Sequence, residues 1–205
     1  MTHVFRTTAV SAALLTAVLG LAGCGGSDEM PGMNHGSPSN SSTAKPSAAG
    51  MFNAADAAFA TQMIPHHQQA VEMADQALRK ATTADVKKLA TAIKAAQAPE
   101  IEQLTGWLGT WGQPVPTPGM HSGHAMTGMM SEQEMQDLSR ASGSMFDRMW
   151  TEMMIKHHQG AITMAKTEQT AGKDTAAIAL AKKIQSAQTT EITTMQRLLG
   201  RLPAA

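Results

Sequence analysis

M-I-P-H-H-Q-Q-A-V-E-M-A at residues 63–74 returns as M-I-K-H-H-Q-G-A-I-T-M-A at residues 154–165. A second block in the same register pairs Q-A-P-E-I-E-Q-L-T-G-W-L-G (97–109) with Q-T-T-E-I-T-T-M-Q-R-L-L-G (188–200). The offset is 91 residues throughout, and residues 56–109 align with 147–200 without a gap, 18 of 54 positions being identical. Two long blocks in one register mean two copies of one supersecondary unit. Each copy reads as a helical hairpin. Ala, Lys, Gln, Glu and Met dominate, and these favour helix. Leu89, Ile93, Leu104 and Leu108 form one apolar stripe at spacings of three and four, repeated by Leu180, Ile184, Met195 and Leu199. Thr82, Thr83 and Asp85 supply the turn and cap of the first hairpin; Gly172 and Asp174 supply those of the second. Ser131 and Glu134 make a capping box that opens the third helix, and Gly109 and Gly200 end the second and fourth. Pro65 and Pro99 are expected to kink helices one and two. One amphipathic hairpin cannot hide its stripe, whereas two packed together can. The expected fold is all-α, a four-helix bundle built from two repeated hairpins (52–110 and 131–201) joined by a linker (111–130).

The stripes carry a polar interruption. Gln97 and Glu100 lie between Ile93 and Leu104, as Gln188 and Glu191 lie between Ile184 and Met195. A carboxylate on a buried stripe is costly unless paired. His66 and His67 share the stripe of Phe59, Met63, Ala70 and Met73; His157 and His158 share that of Trp150, Met154, Ala161 and Met164. In an antiparallel hairpin, residues equidistant from the turn face each other. The His pair and the Gln/Glu pair of each unit are equidistant from the turns at 82–83 and 172–174, so they should meet at one level near mid-helix. Adjacent residues point about 100° apart on a helix, so one His of each pair is expected to face fully inward. Two readings of the layer stand: a hydrogen-bonded network that fixes register, or a metal site with His as ligand and Glu as ligand or supporting partner.

Soft ligands recur outside the helices. Met30, Met33 and His35 lie in M-P-G-M-N-H; Met120, His121, His124, Met126, Met129 and Met130 lie in M-H-S-G-H-A-M-T-G-M-M. Gly, Ser and Pro surround them, which argues against a packed face. Thioether sulfur favours Cu(I), and imidazole binds Cu(I) and Cu(II), so copper is the expected metal, with Cu(I) favoured and other metals left open. The chain holds 17 Met among 205 residues, more than a core needs, because Met specifies packing poorly.

The N-terminus reads as an address. Arg6 precedes an apolar run from Ala9 to Leu21, which ends in Leu21-Ala22-Gly23-Cys24. This resembles the lipobox of bacterial lipoproteins. The resemblance implies that a signal peptide, 1–23, is removed and that Cys24, the only Cys in the sequence, is lipidated. Residues 24–51 then read as a disordered tether, too polar and Gly/Ser/Pro-rich to bury a core. The setting is extracytoplasmic and lipid-anchored to the membrane.

Composition excludes several classes. Sixteen basic residues balance sixteen acidic ones, which argues against nucleic acid as a partner. A single Cys rules out a disulfide framework. No catalytic constellation stands out. A carboxylate-bridged di-metal oxidase expects Glu-x-x-His motifs, but Glu152 precedes His157 by five. A metal-independent envelope interaction module is the other alternative, and the sequence names no protein partner.

The M-I-P-H-H-Q and M-I-K-H-H-Q blocks, the G-M-M-S-E-Q-E-M run (128–135) and the Q-x-x-E-I blocks resemble a ferritin-like bacterial family long labelled a domain of unknown function. That family includes periplasmic copper-binding proteins of the CopM type. The resemblance covers about 52–201. It implies a four-helix bundle, an extracytoplasmic setting and, for some members, copper binding. Carried over by position, it points to Met63, His66, His67 and Met73, and to Met154, His157, His158 and Met164.

Overall fold

Asn53 opens the first helix by accepting hydrogen bonds from the Ala55 and Asp56 amides, while Asp56 reaches back to the Asn53 amide at 2.6 Å. In the computed structural model, which describes residues 51–117 and 126–203, five helices follow: α1 (Ala54–Lys80), α2 (Ala84–Trp111), α3 (Glu132–Arg140), α4 (Gly143–Ala171) and α5 (Thr175–Leu199). The four long helices form the all-α bundle as two hairpins, α1–α2 and α4–α5, with α1 packed against α4. Thr83 caps α2 and Asp174 caps α5. Pro65 and Pro99 lie inside α1 and α2, which run on through them. Among the described residues no helix is long and apolar enough to cross a membrane.

Reciprocal clamps set the topology. Asp56, at the start of α1, accepts from the Lys173 and Asp174 amides in the turn after α4. Asp147, early in α4, accepts from the Thr82 and Thr83 amides and the Thr82 hydroxyl in the turn after α1. Asp56 and Asp147 are 91 residues apart, so the two clamps are images of each other. They hold α1 and α4 antiparallel. Helices α2 and α4 therefore run the same way, and the connection between them travels the length of the bundle. This up-down-down-up order with one long crossover is the ferritin-like arrangement.

Two local expectations are corrected. The Ser131–Glu134 capping box is present, but it opens only the nine-residue α3. Ala141 is extended and Gly143 takes φ +61, a left-handed conformation suited to Gly, and α4 starts there. Gly109 does not end α2. The helix continues to Trp111 and stops at Gly112, with φ +66. The two further residues place Trp111 flat against Phe52, ring centroids 4.9 Å apart.

The core is two apolar clusters. One joins Met73, Ala74, Ala77, Val86, Ile93, Phe146, Trp150, Met154 and Met195; the other joins Phe59, Met63, Ile64, Leu104, Leu108, Ala161, Ala165 and Ile184. Burying each large aliphatic side chain contributes about 1.5–3 kcal/mol. Leu198, rather than Leu199, is the fully buried leucine at the end of α5. Small residues on the buried faces, Ala70, Ala74 and Ala77 of α1 with Ala161 and Ala165 of α4, allow the two helices to approach closely.

Candidate metal centre

Between the two clusters lies a polar layer. Helices α1 and α4 each place two consecutive histidines there, and all four are fully buried. This corrects the expectation that one of each pair would face inward. Helix α1 packs on both α2 and α4, and α4 on both α1 and α5, so two adjacent side chains about 100° apart can each face a different neighbour. His67 and His158 turn toward their own hairpin partners. His66 and His157 turn toward each other, ring centroids 3.8 Å apart and planes tilted by 41°.

His67 Nε2 lies 3.0 Å from Glu100 Oε2, and His158 Nε2 lies 2.6 Å from Glu191 Oε2. Burial pulls the Glu100 carboxyl upward, but the His67 contact and the Lys183 ammonium at 3.3 Å outweigh it and hold its pKa below the usual value. Glu100 is thus an acceptor, and the His67 Nε2–H donates to it. Burial lowers the His67 pKa despite Glu100, so the ring is neutral and its Nδ1 carries a lone pair. In the second hairpin His158 likewise meets its carboxylate through Nε2, leaving Nδ1 as the other ring nitrogen. Neither Nδ1 has a hydrogen-bond partner. An imidazole donating one N–H to a carboxylate while its other nitrogen stays free is the usual preparation of a metal ligand.

The central pair is still less satisfied. Burial first, then the neighbouring imidazoles, push His66 down to about 3 and His157 well below its ordinary value, so both rings are neutral. The Thr127 carbonyl approaches His66 and opposes this shift slightly, without a hydrogen bond of normal geometry to either ring nitrogen. Both nitrogens of His66 and of His157 are buried and unpartnered, as are the Gln97 amide and the Gln188 oxygen. Neutral imidazoles with free lone pairs, few carboxylates and nearby thioethers suit a soft cation better than a hard one. Among the described residues no three His, Cys, Asp or Glu side chains already converge as a metal cage.

The other sequence-derived residues divide as follows. Met63 lies in one apolar cluster with Met164 packed against it, and Met73 and Met154 lie in the other, so each His pair is flanked by Met on both sides along its helix. Met126 is half-buried. Met130, grouped with the loop ligands, is instead a core residue, 4% exposed beside Leu138 and Trp150. Its backbone explains this: the Gln69 side chain bonds both the Met130 carbonyl (2.8 Å) and amide (2.7 Å) and draws it inward. Met120, His121 and His124, like Met30, Met33, His35 and Cys24, lie outside the described residues. Sequence reasoning missed Gln69, Lys183 and the clamps Asp56 and Asp147. A signal for the clamps was present, since they are the first identical pair of the aligned repeat.

A ferritin-like bundle with histidine pairs buried at its centre defines the class. The family described as "Domain of unknown function (DUF305)" matches residues 56–199, and the chain belongs to it. Among solved structures it is similar to a DUF305 fragment from Deinococcus radiodurans, with 33% identity, TM-score 0.67, and coverage of 73% of this chain and 98% of that one. A DUF305 protein from Streptomyces coelicolor has 33% identity and TM-score 0.66, covering 72% and 93%. CopM in the Cu(II)-bound form has 36% identity and TM-score 0.64, covering 71% and 96%; its Cu(I)-bound form matches at 33% and 0.60, with the same coverage. No curated protein matches.

Proposed function

We propose that this chain is an extracytoplasmic, lipid-anchored copper-binding protein that sequesters the ion or passes it on through His and Met ligands. The segment 1–23 directs export and is removed, Cys24 carries the lipid, and 24–51 tether the bundle to the membrane surface. Met30, Met33 and His35 of the tether and Met120, His121, His124 and Met126 of the linker capture the ion. His66, His67, His157 and His158 hold it in the bundle, with Met63, Met73, Met154 and Met164 as thioether neighbours and Glu100, Glu191, Gln97 and Gln188 as supporting partners. Copper is cargo, and no bond in a substrate is made or broken.

The observation that carries the reading is the pair of carboxylate-anchored imidazoles, His67 and His158, each with a buried, unpartnered Nδ1. A layer built only to fix register would satisfy its polar atoms. The likeness to CopM in copper-bound forms supports copper as the ion.

An anaerobic Cu(I) titration of residues 25–205 tests this. Changing His66, His67, His157 and His158 to Ala should remove the tight sites. Losing them only when Met120, His121, His124 and Met126 are changed would make the bundle a scaffold. No binding by the parent would refute the copper reading and favour a metal-independent interaction module.

A further inference from the structure

The repeated block differs between its copies at an informative place. In M-I-P-H-H-Q-Q-A and M-I-K-H-H-Q-G-A, Gln69 stands where the second copy has Gly160. They occupy equivalent positions on α1 and α4, each three residues after the first His of its pair. At this spacing each shares a helix face with His66 or His157. One piece of chain lies across both. The Gln69 amide grips both backbone groups of Met130, and Thr127–Gly128 rest directly on Gly160. A Cβ on Gly160 would stand 2.0 Å from the Thr127 oxygen and 2.8 Å from the Gly128 Cα. Gly128 has φ +85, and a Cβ there would stand 2.7 Å from the Gly160 Cα. Backbone touches backbone at this crossing, which only two glycines allow.

We propose that residues 126–130 form a strap that closes the His66–His157 pair from solvent, with Gln69 as its latch and Gly160 as its seat. The crossover occurs once, so only one strap can lie over the α1–α4 groove. The two copies have therefore diverged where it docks: one supplies a bidentate amide, the other the absence of a side chain. Gln69 is a positioning residue that acts on the histidine pair through the strap. If the copper reading holds, opening the strap sets the rate at which the ion enters and leaves. The inference rests on that reading for the identity of the cargo, but not for the closure itself.

Gly160→Ala is the sharper test. Ala is the better helix former, so α4 is retained while its methyl displaces Thr127. Gln69→Leu removes the latch at similar volume, and Gly106→Ala, a helical position with open space around it, is the control. The metal-independent readout is carbethoxylation of individual histidines by diethyl pyrocarbonate, mapped by mass spectrometry, beside hydrogen exchange of the Met130 amide. Modification of His66 and His157 should rise about tenfold or more in both strap variants, the effect of a more populated local opening. His67 and His158 should change much less, and the control should match the parent. Where the parent binds Cu(I), transfer to a chelator should accelerate with little change in stoichiometry. A strap released by loss of Met130 protection, with His66 and His157 no more reactive, would overturn the proposal. An equal rise at all four histidines, which means general loosening, would overturn it too. A parent that binds no Cu(I) would sink the copper reading alone, since carbethoxylation still judges the strap.

Discussion

Replacing both central histidines, His66→Leu with His157→Leu, should make the metal-free protein more stable. Each neutral imidazole brings one N–H donor and one acceptor into the core, and none of the four nitrogens has a partner. A buried polar group without a partner costs about 1–3 kcal/mol. Counting only the two N–H donors, relief amounts to about 2–6 kcal/mol. The fit of Leu in a space shaped for a tilted ring pair returns about 1–1.5 kcal/mol of that. The net gain is about 0.5–5 kcal/mol, and each kcal/mol raises the thermal midpoint by about 2–4 °C for a domain of this size. The assay is urea and thermal unfolding after chelator treatment, followed by circular dichroism. The pH dependence gives a second check. His66 is held at about 3 against an ordinary 6.5, so the unfolded chain binds more protons between those values. Its neutral form is compatible with the fold above pH 6.5, and stability drains away as pH falls below it. The double variant should lose much of that acid sensitivity. A single substitution should give less than half the gain, because the rings share one contact. A double variant no more stable than the parent, with an unchanged denaturant slope, would refute the reasoning, and it would mean the rings contribute packing that outweighs their unmet polarity.

The clamps and the bundle end give two further expectations. Asp147→Ala removes the acceptor for two amides and a hydroxyl; it should cost about 2–4 kcal/mol at neutral pH, read by urea unfolding, and a loss under 1 kcal/mol would show that the turn finds other partners. Glu168 is 1% exposed, with neither oxygen in a normal hydrogen bond, and burial followed by the neighbouring Asp56 raises it to about 8. Its stabilising neutral form is fully present below about 4.5 and is lost as pH rises toward 8. The parent should therefore weaken across that window in thermal melts while Glu168→Gln stays level, and parallel curves would disprove the assignment.

Much of this architecture was legible because the chain states it twice. The equidistance of 66–67 and 97–100 from their turn placed His opposite Glu before any coordinates, and the 91-residue offset carried the argument to 157–158 and 188–191. Periodicity reports which face a residue shares, however, and not how many neighbours that face meets. The inward turn of both histidines in each pair depends on α1 and α4 lying between two helices each, which no single hairpin reveals. The end of α2 was also misplaced. Gly109 has the right residue type, but it is Gly112, at φ +66, that ends the helix, and Trp111 just before it stacks on Phe52. The seat of the strap has no periodic signature at all. Gly128 and Gly160 acquire meaning only where two distant backbones touch.

The distribution of satisfied and unsatisfied groups along the bundle argues for function at its centre. At each end a buried Asp meets several donors, so the turns are tied and the apolar clusters beside them are closed. The middle is different: nine buried His and Gln atoms of the layer itself (His66, His67, Gln97, His157, His158 and Gln188) lack partners. An apolar layer there would be easier to fold and would suit the flanking Met, Ile and Leu residues. The central contact, His66 against His157, also joins the two hairpins and does not lie within either, so it exists only once α1 and α4 have docked. A polar feature that opposes folding, forms only in the assembled bundle and sits under a strap seated on two glycines is better explained by what it holds than by what it stabilises.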